Sequence, residues 1–287
     1  MRRGIVVAGM LLAMGLAGTA EAQDSYQSDV QFDFLNIEDD TNQIETSTKT
    51  LGYRWYFQEV DGTTGPYELQ PFLQRASWAE GNFAWFRDDD TPETDGSGLI
   101  FAGRIVIPDK PVGIDVSYLT LDADFGAGAG DQDFLSEFDI GAVIWMKDDN
   151  RFAIETNLAF GEFVNTDFTR FMVGARFIMP VQESELELAA HFLTVDYDGA
   201  VFQDVSGLEL AARFFFNQAI FAGVALSSVE PDNADATSWA ISGGYTLPQG
   251  IDLALSIGEG SVPGQALPYT PGILEDPTFG FRVGYRF

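Results

Sequence analysis

The last nine residues restrict this chain more than any other stretch. Phe279-Gly280-Phe281-Arg282-Val283-Gly284-Tyr285-Arg286-Phe287 alternates without a break, with Phe, Val and Tyr at odd positions and Gly and Arg at even ones. Successive side chains of a strand point to opposite faces, so this is a strand with an oily side and a wet side. A soluble sandwich edge shows the same pattern, and the rest of the chain must choose between the two.

Arg2 and Arg3 precede an apolar run from Gly4 to Gly18, and Ala20-Glu21-Ala22 supplies a small-x-small cleavage site before Gln23. This reads as a secretory signal peptide over residues 1–22. The run is short of the roughly 20 residues that a spanning helix needs. No later apolar stretch is long enough to span as a helix. If residues 23–287 enter a membrane, they must do so as a closed barrel, because in lipid only helices and barrels satisfy every backbone group.

The chain has no Cys, so an exported fold must rest on a sizeable sheet and not on disulfides. Acidic residues outnumber basic ones by 44 to 15, which excludes nucleic acid as a partner. Hydrophobic content is 46% although mean hydropathy is zero. Alternating strands joined by acidic loops explain both values. The 25 Phe suit a lipid-facing surface with aromatic girdles.

The pattern predicts an all-β, transmembrane, antiparallel up-and-down β-barrel of about fourteen strands, with 12–16 compatible. The strands fall near 26–38, 46–58, 67–88, 97–108, 112–123, 133–146, 151–163, 167–179, 185–197, 204–216, 219–229, 236–247, 250–259 and 277–287. Outward sets include Leu51, Tyr53, Trp55 and Phe57, and Leu208, Leu210, Ala212, Phe214 and Phe216. Short turns such as Pro108-Asp109-Lys110-Pro111, Pro180-Val181-Gln182-Glu183 and Asn217-Gln218 alternate with mostly longer acidic connections. That asymmetry is the one between periplasmic turns and outer loops. Residues 67–88 are too long for one strand and contain Pro71. They read either as a bulged strand or as a short helix followed by a strand, because Leu69, Phe72, Leu73 and Ala76 have helical spacing.

Arg54, Arg104, Arg176 and Arg213 lie on the inward face, four residues before the close of their strands, and Arg282 and Arg286 follow on the last strand. Asp115, Glu155, Glu187 and Asp252 stand at similar height on the neighbouring strands. Hairpin register is expected to set Arg104 opposite Asp115 and Arg176 opposite Glu187. The bland role of this band is a girdle that fixes register; the sharper one is a constriction that sorts solutes by size and sign. Inward Asp29, Asp33, Glu137, Asp139, Glu185 and Glu209 make the path electronegative and predict a preference for cations.

Asp122-Ala123-Asp124-Phe125-Gly126 and Asp196-Tyr197-Asp198-Gly199 are the nearest candidates for Ca2+ or Mg2+, but neither has EF-hand spacing. Solvated loop charge is the plainer reading, and no cofactor is expected. His191 shares the inward face with Glu185 and Glu187 and reads as a wall residue pairing with a carboxylate. A Ser-His-acid site would need a Ser that the sequence does not place, so no enzyme is expected.

Two resemblances add to this reading. A C-terminal Phe closing an alternating strand resembles the terminal strand of bacterial outer-membrane barrels, which implies that the barrel-assembly machinery reads Phe287. Leu51-Gly52-Tyr53-Arg54-Trp55-Tyr56-Phe57, followed by Val60, Asp61 and Gly65-Pro66-Tyr67-Glu68-Leu69-Gln70-Pro71-Phe72-Leu73-Gln74-Arg75-Ala76-Ser77, resembles the porin family of gammaproteobacterial outer-membrane proteins. Pro71 stands where that family more often has Ala. The resemblance implies passive diffusion and brings no catalytic residue.

The expectation is therefore a porin of the bacterial outer membrane, surrounded by lipid and lipopolysaccharide. It would pass small hydrophilic solutes, with mild cation selectivity and no energy coupling. The alternative is a barrel filled by its own side chains, with a structural or surface-binding role. Inward Trp145 and Phe215 have the bulk to obstruct the bore.

Overall fold

The computed structural model describes residues 25–39, 44–88, 94–124, 131–146, 150–199, 204–231, 236–247, 249–259 and 277–287. The expected signal peptide and most of the longer acidic connections lie outside them.

Fourteen strands follow in chain order: β1 Ser25–Asp39, β2 Ile44–Asp61, β3 Trp78–Asp88, β4 Thr94–Val106, β5 Val112–Asp124, β6 Asp131–Trp145 and β7 Phe152–Phe163. Then come β8 Thr166–Val181, β9 Ser184–Tyr197, β10 Val205–Phe215, β11 Ile220–Pro231, β12 Ala236–Thr246, β13 Ile251–Glu259 and β14 Pro277–Arg286. Each pairs antiparallel with its sequence neighbours, and β14 returns to β1, so the sheet is closed. Closure removes the free edges that lipid would leave unsatisfied. The terminal strand makes the seam. Asp29 faces Arg286 and Asp33 faces Arg282, while Phe287 exchanges backbone hydrogen bonds with Ser28 at 2.8 and 2.9 Å.

Alternation sorts the two faces. Leu51, Tyr53, Trp55 and Phe57 are 43–50% exposed, whereas Gly52 and Tyr56 between them are buried. The expected outward residues of β10 behave alike: Leu208, Leu210 and Phe216 are among the exposed apolar residues. Buried carboxylates such as Glu137 and Glu187 sit on the opposite face.

Residues 67–88 take the second of the two forms open to them. A 3-10 turn, Tyr67–Leu69, leads into one turn of helix, α1 Gln70–Leu73, and β3 begins at Trp78. Pro71 lies in the first turn, where its missing N–H costs nothing. Asp61 accepts from the Thr63 amide and from the hydroxyls of Thr63 and Thr64. The Gln74 side chain bonds back to the Asp61 amide and carbonyl, both at 2.7 Å. Gly65 takes φ +70, and a Cβ there would stand 2.9 Å from Leu73 Cδ1, so both its backbone and its neighbour demand glycine.

One register differs from expectation. Arg104 does face Asp115, but Arg176 faces Ala189, and Glu187 lies between Ile178 and Arg213. Strand β8 continues through Pro180 to Val181, which faces Ser184, so the turn has only two residues, Gln182 and Glu183. Gln182 supplies the positive φ of 59 that such a tight turn needs. The shorter turn moves every β8–β9 pairing by two residues.

Candidate functional site

The segment between β2 and β3 lies inside the barrel and not below it. From β2 it reaches the β10–β11 turn, which is not a neighbouring strand in either direction around the ring. There the Tyr67 amide donates to the Gln218 carbonyl and the Gln218 side chain donates to the Thr63 carbonyl, both at 3.0 Å. On its way back it meets the β6–β7 connection, where Asn150 Nδ2 donates to the Leu73 carbonyl at 2.6 Å. Leu69, Phe72 and Leu73 pack with Val143, Trp145, Ala153, Ile178 and Phe215, all from the inward face. Gln70 is fully buried and donates to the Gly62 carbonyl at 2.8 Å. The mouth at the short-turn end therefore holds a plug made of residues 62–76, seated by its apolar side chains on the β6–β10 part of the wall. Trp145 and Phe215 do not merely narrow the bore, because they form the plug's seat.

Above the plug lies a layer of ion pairs. Arg104 grips Asp115 with two hydrogen bonds of 2.6 and 2.8 Å, a bidentate geometry. Arg176 reaches Glu155 and Glu187, both at 3.2 Å, Arg213 closes on the other oxygen of Glu187, and His191 Nε2 lies 3.1 Å from Glu155. Arg286 pairs with Asp252 at 2.8 Å. The six arginines and four carboxylates of the expected band all stand on this inward face. Two of the arginines take other partners: Arg54 pairs with Glu80, and Arg282 with Asp33 at 2.8 Å.

Sequence reasoning missed four members of this layer. Arg170 binds Glu137 at 2.7 Å, and Arg151 binds Glu185 at 2.6 Å. Arg170 shares the parity of Arg176 on one strand, a signal that was present. Glu80 was hidden by the ambiguity of 67–88. Glu68 was invisible, because nothing in a strand pattern says that a turn enters the lumen. Its carboxylate stands 3.8 Å from Arg213 and 3.9 Å from Arg286. Burial pushes the Glu68 carboxyl up, but Arg286, Arg282, Arg213 and Arg54 outweigh it and hold it below the usual carboxylate value.

A third layer, toward the long-loop end, is apolar. Ile100, Leu119, Leu121, Leu135, Phe168, Leu193, Val195 and Val205 all point inward and are all buried. The lumen is thus charged in its middle and oily at both ends of the β3–β10 wall. The β11–β13 wall is different: Ala225, Ala240, Ser242, Ala254 and Ser256 border a cavity of about 340 Å³ that reaches Arg176, Arg213 and Arg282 on the other side. Of the loops considered for a cation, Phe125 and Gly126 lie outside the described residues. Among the described residues no group of three or more His, Cys, Asp or Glu side chains is placed to hold a metal.

A closed fourteen-stranded barrel with an apolar exterior and an ion-paired lumen has the fold of an outer-membrane β-barrel, which places the chain in the bacterial outer membrane. Among solved structures it is similar to the outer-membrane protein Omp33 of Acinetobacter baumannii, with a TM-score of 0.57 and 16% identity over 92% of this chain and 99% of that one. It is also similar to CdiB of the same organism, with a TM-score of 0.54 and 8% identity over 91% of this chain and 60% of that one. A bacterial polysaccharide outer-membrane secretin gives a TM-score of 0.54 and 8% identity over 91% of this chain and 99% of that one. At such identities the likeness is one of fold. No protein-family model matches the sequence, and no curated protein matches it.

Proposed function

We propose that the chain is a porin-type channel for small hydrophilic solutes, shut at its periplasmic mouth by residues 62–76. When the plug leaves its seat, solutes diffuse along the β11–β13 wall, past Arg176, Arg213 and Arg282. Inward carboxylates outnumber inward arginines, which favours mild cation selectivity. Arg54, Arg104, Arg176, Arg213, Arg282 and Arg286, with Asp115, Glu155, Glu187 and Asp252, set the local field and also tie neighbouring strands together.

The observation that carries this reading is the origin of the obstruction. The obstructing Leu69, Phe72 and Leu73 belong to a turn, not to the wall, and a turn can leave without breaking a strand ladder. Conductance of the refolded chain in planar bilayers tests it, beside a variant in which residues 66–76 are replaced by a Gly/Ser linker. The intact chain should open rarely, and the linker variant should give steady steps with a reversal potential favouring sodium over chloride.

The buried apolar layer at the long-loop end favours a second reading, a barrel filled by its own side chains with a structural or surface-binding role. That reading expects silence from both proteins.

A further inference from the structure

Glu68 is a plug residue whose charge faces arginines of the wall. Its two oxygens point to different guanidinium groups, Oε2 to Arg213 at 3.8 Å and Oε1 to Arg286 at 3.9 Å. Both separations exceed hydrogen-bond length. The same arginines hold their wall partners closely: Arg213 hydrogen-bonds Glu187, and Arg286 sits 2.8 Å from Asp252. Glu68 is therefore a loosely bound carboxylate bridging two cations from separate strands, and the plug carries it there.

The space beside it is built for a further acceptor. A cavity of about 160 Å³ is lined by Glu68, Arg286, Arg282, Arg54 and Tyr26. Arg286 is 9% exposed and Tyr26 4% exposed. Arg286 Nη1 and the Tyr26 hydroxyl are both buried without a hydrogen-bond partner. Buried donors seldom stay unpaired, because each costs about 1–3 kcal/mol. The carboxylates that also line the cavity are engaged elsewhere: Asp29 accepts from Tyr56 at 2.9 Å, and Asp252 from Arg286 and Thr246. The volume holds about five waters at ~30 Å³ each, so a short mono- or dicarboxylate can enter.

Resting on the plugged-channel reading above, we infer that this pocket binds small carboxylate solutes, which replace Glu68 between Arg213 and Arg286 and so release the plug. Glu68 serves as the internal stand-in for the solute. A free carboxylate, unrestrained by the plug backbone, can close on Arg286 and satisfy its Nη1, and the second carboxyl of a dicarboxylate can reach toward Arg213. Binding to one state only must shift the plug toward its released form.

The test is open probability in planar bilayers at pH 7, with sodium succinate exchanged for sodium chloride at constant ionic strength. Succinate should raise the opening of the intact chain several-fold, and acetate should do so less. Glu68→Gln should open more often in chloride alone and respond little to succinate. A Tyr67→Cys, Gln218→Cys pair, in a chain with no other cysteine, should abolish the succinate response when oxidised and restore it on reduction. That pair decides the matter if Glu68→Gln does not fold. Equal opening in succinate and chloride, while the linker variant conducts, would overturn the carboxylate site and leave the channel reading standing. Silence from every protein, the linker variant included, would sink both.

Discussion

The lumen has two walls made by one rule with opposite results. From β6 to β10 the inward positions carry Glu137, Asp139, Arg170, Arg176, Glu187 and Arg213. From β11 to β13 they carry Ala225, Ser227, Ser238, Ala240, Ser242 and Ala254. Both obey strict alternation and both face lipid with apolar residues. The first wall spends its volume on ion pairs and, lower down, on the plug's seat of Val143, Trp145, Ala153, Ile178 and Phe215. The second leaves room, and the 340 Å³ cavity borders it. Polarity therefore does not decide where the bore stays open; side-chain volume does. Ion pairs across a hairpin occupy the bore as fully as oil.

The comparison breaks most readily at the plug. Leu69→Ala, Phe72→Ala and Leu73→Ala together remove the apolar anchor, and each substitution costs docking about 2–5 kcal/mol. Open probability should rise far more than about tenfold, toward saturation, since 1.4 kcal/mol is already a factor of ten. Thermal unfolding of the barrel should shift far less, because no strand pairing is lost. An unchanged channel record would show that the wall itself is the barrier.

Next in size is the small-residue wall. In the plug-free background, Ala240→Trp should cut unitary conductance several-fold, because its Cβ faces the cavity. Ala222→Trp on the same wall faces lipid and should leave conductance unchanged. Equal effects would show that the path does not follow β11–β13.

Acid should act through Glu68. Its carboxyl is held below the ordinary value, so its contribution to docking is complete above that value and is lost as pH falls through the depressed one. Opening should stay flat from neutrality to about pH 5 and rise below about pH 4. Glu68→Gln should already be raised at neutrality and show a smaller rise. A matching acid response in that variant would move the effect to other carboxylates.

The smallest effect belongs to the charged wall. Arg104→Ala removes one bidentate cross-strand pair, and such pairs contribute about 0.2–1 kcal/mol. The urea midpoint should fall slightly, and the reversal potential should move a few millivolts toward cations. A large loss of stability would mark the pair as part of a coupled network with Trp145, whose ring lies 5.9 Å from the guanidinium.

Much of the fold was legible in the sequence because strand physics is local. The Phe279–Phe287 alternation announced the closing strand, and the short turn at Pro108–Pro111 set Arg104 against Asp115 without knowledge of any other strand. Legibility failed where a turn was one pair of residues shorter than its composition suggested, as at Gln182–Glu183, which set Arg176 opposite Ala189, although its guanidinium still reaches Glu187 at 3.2 Å. It failed again at Arg170, passed over because it stands far from the end of its strand.

The sequence by itself determined which side chains face lipid and which face inward, because a two-residue period leaves a strand no other choice. It also required the sheet to close if its strands were to lie in lipid, because an open edge would leave backbone groups unsatisfied there. Only the tertiary structure decided that residues 62–76 turn into the lumen and that Glu68 finds Arg213 and Arg286. Those contacts join residues far apart in the chain, and they exist only once the ring has closed and brought the β10–β11 turn within reach of the segment after β2.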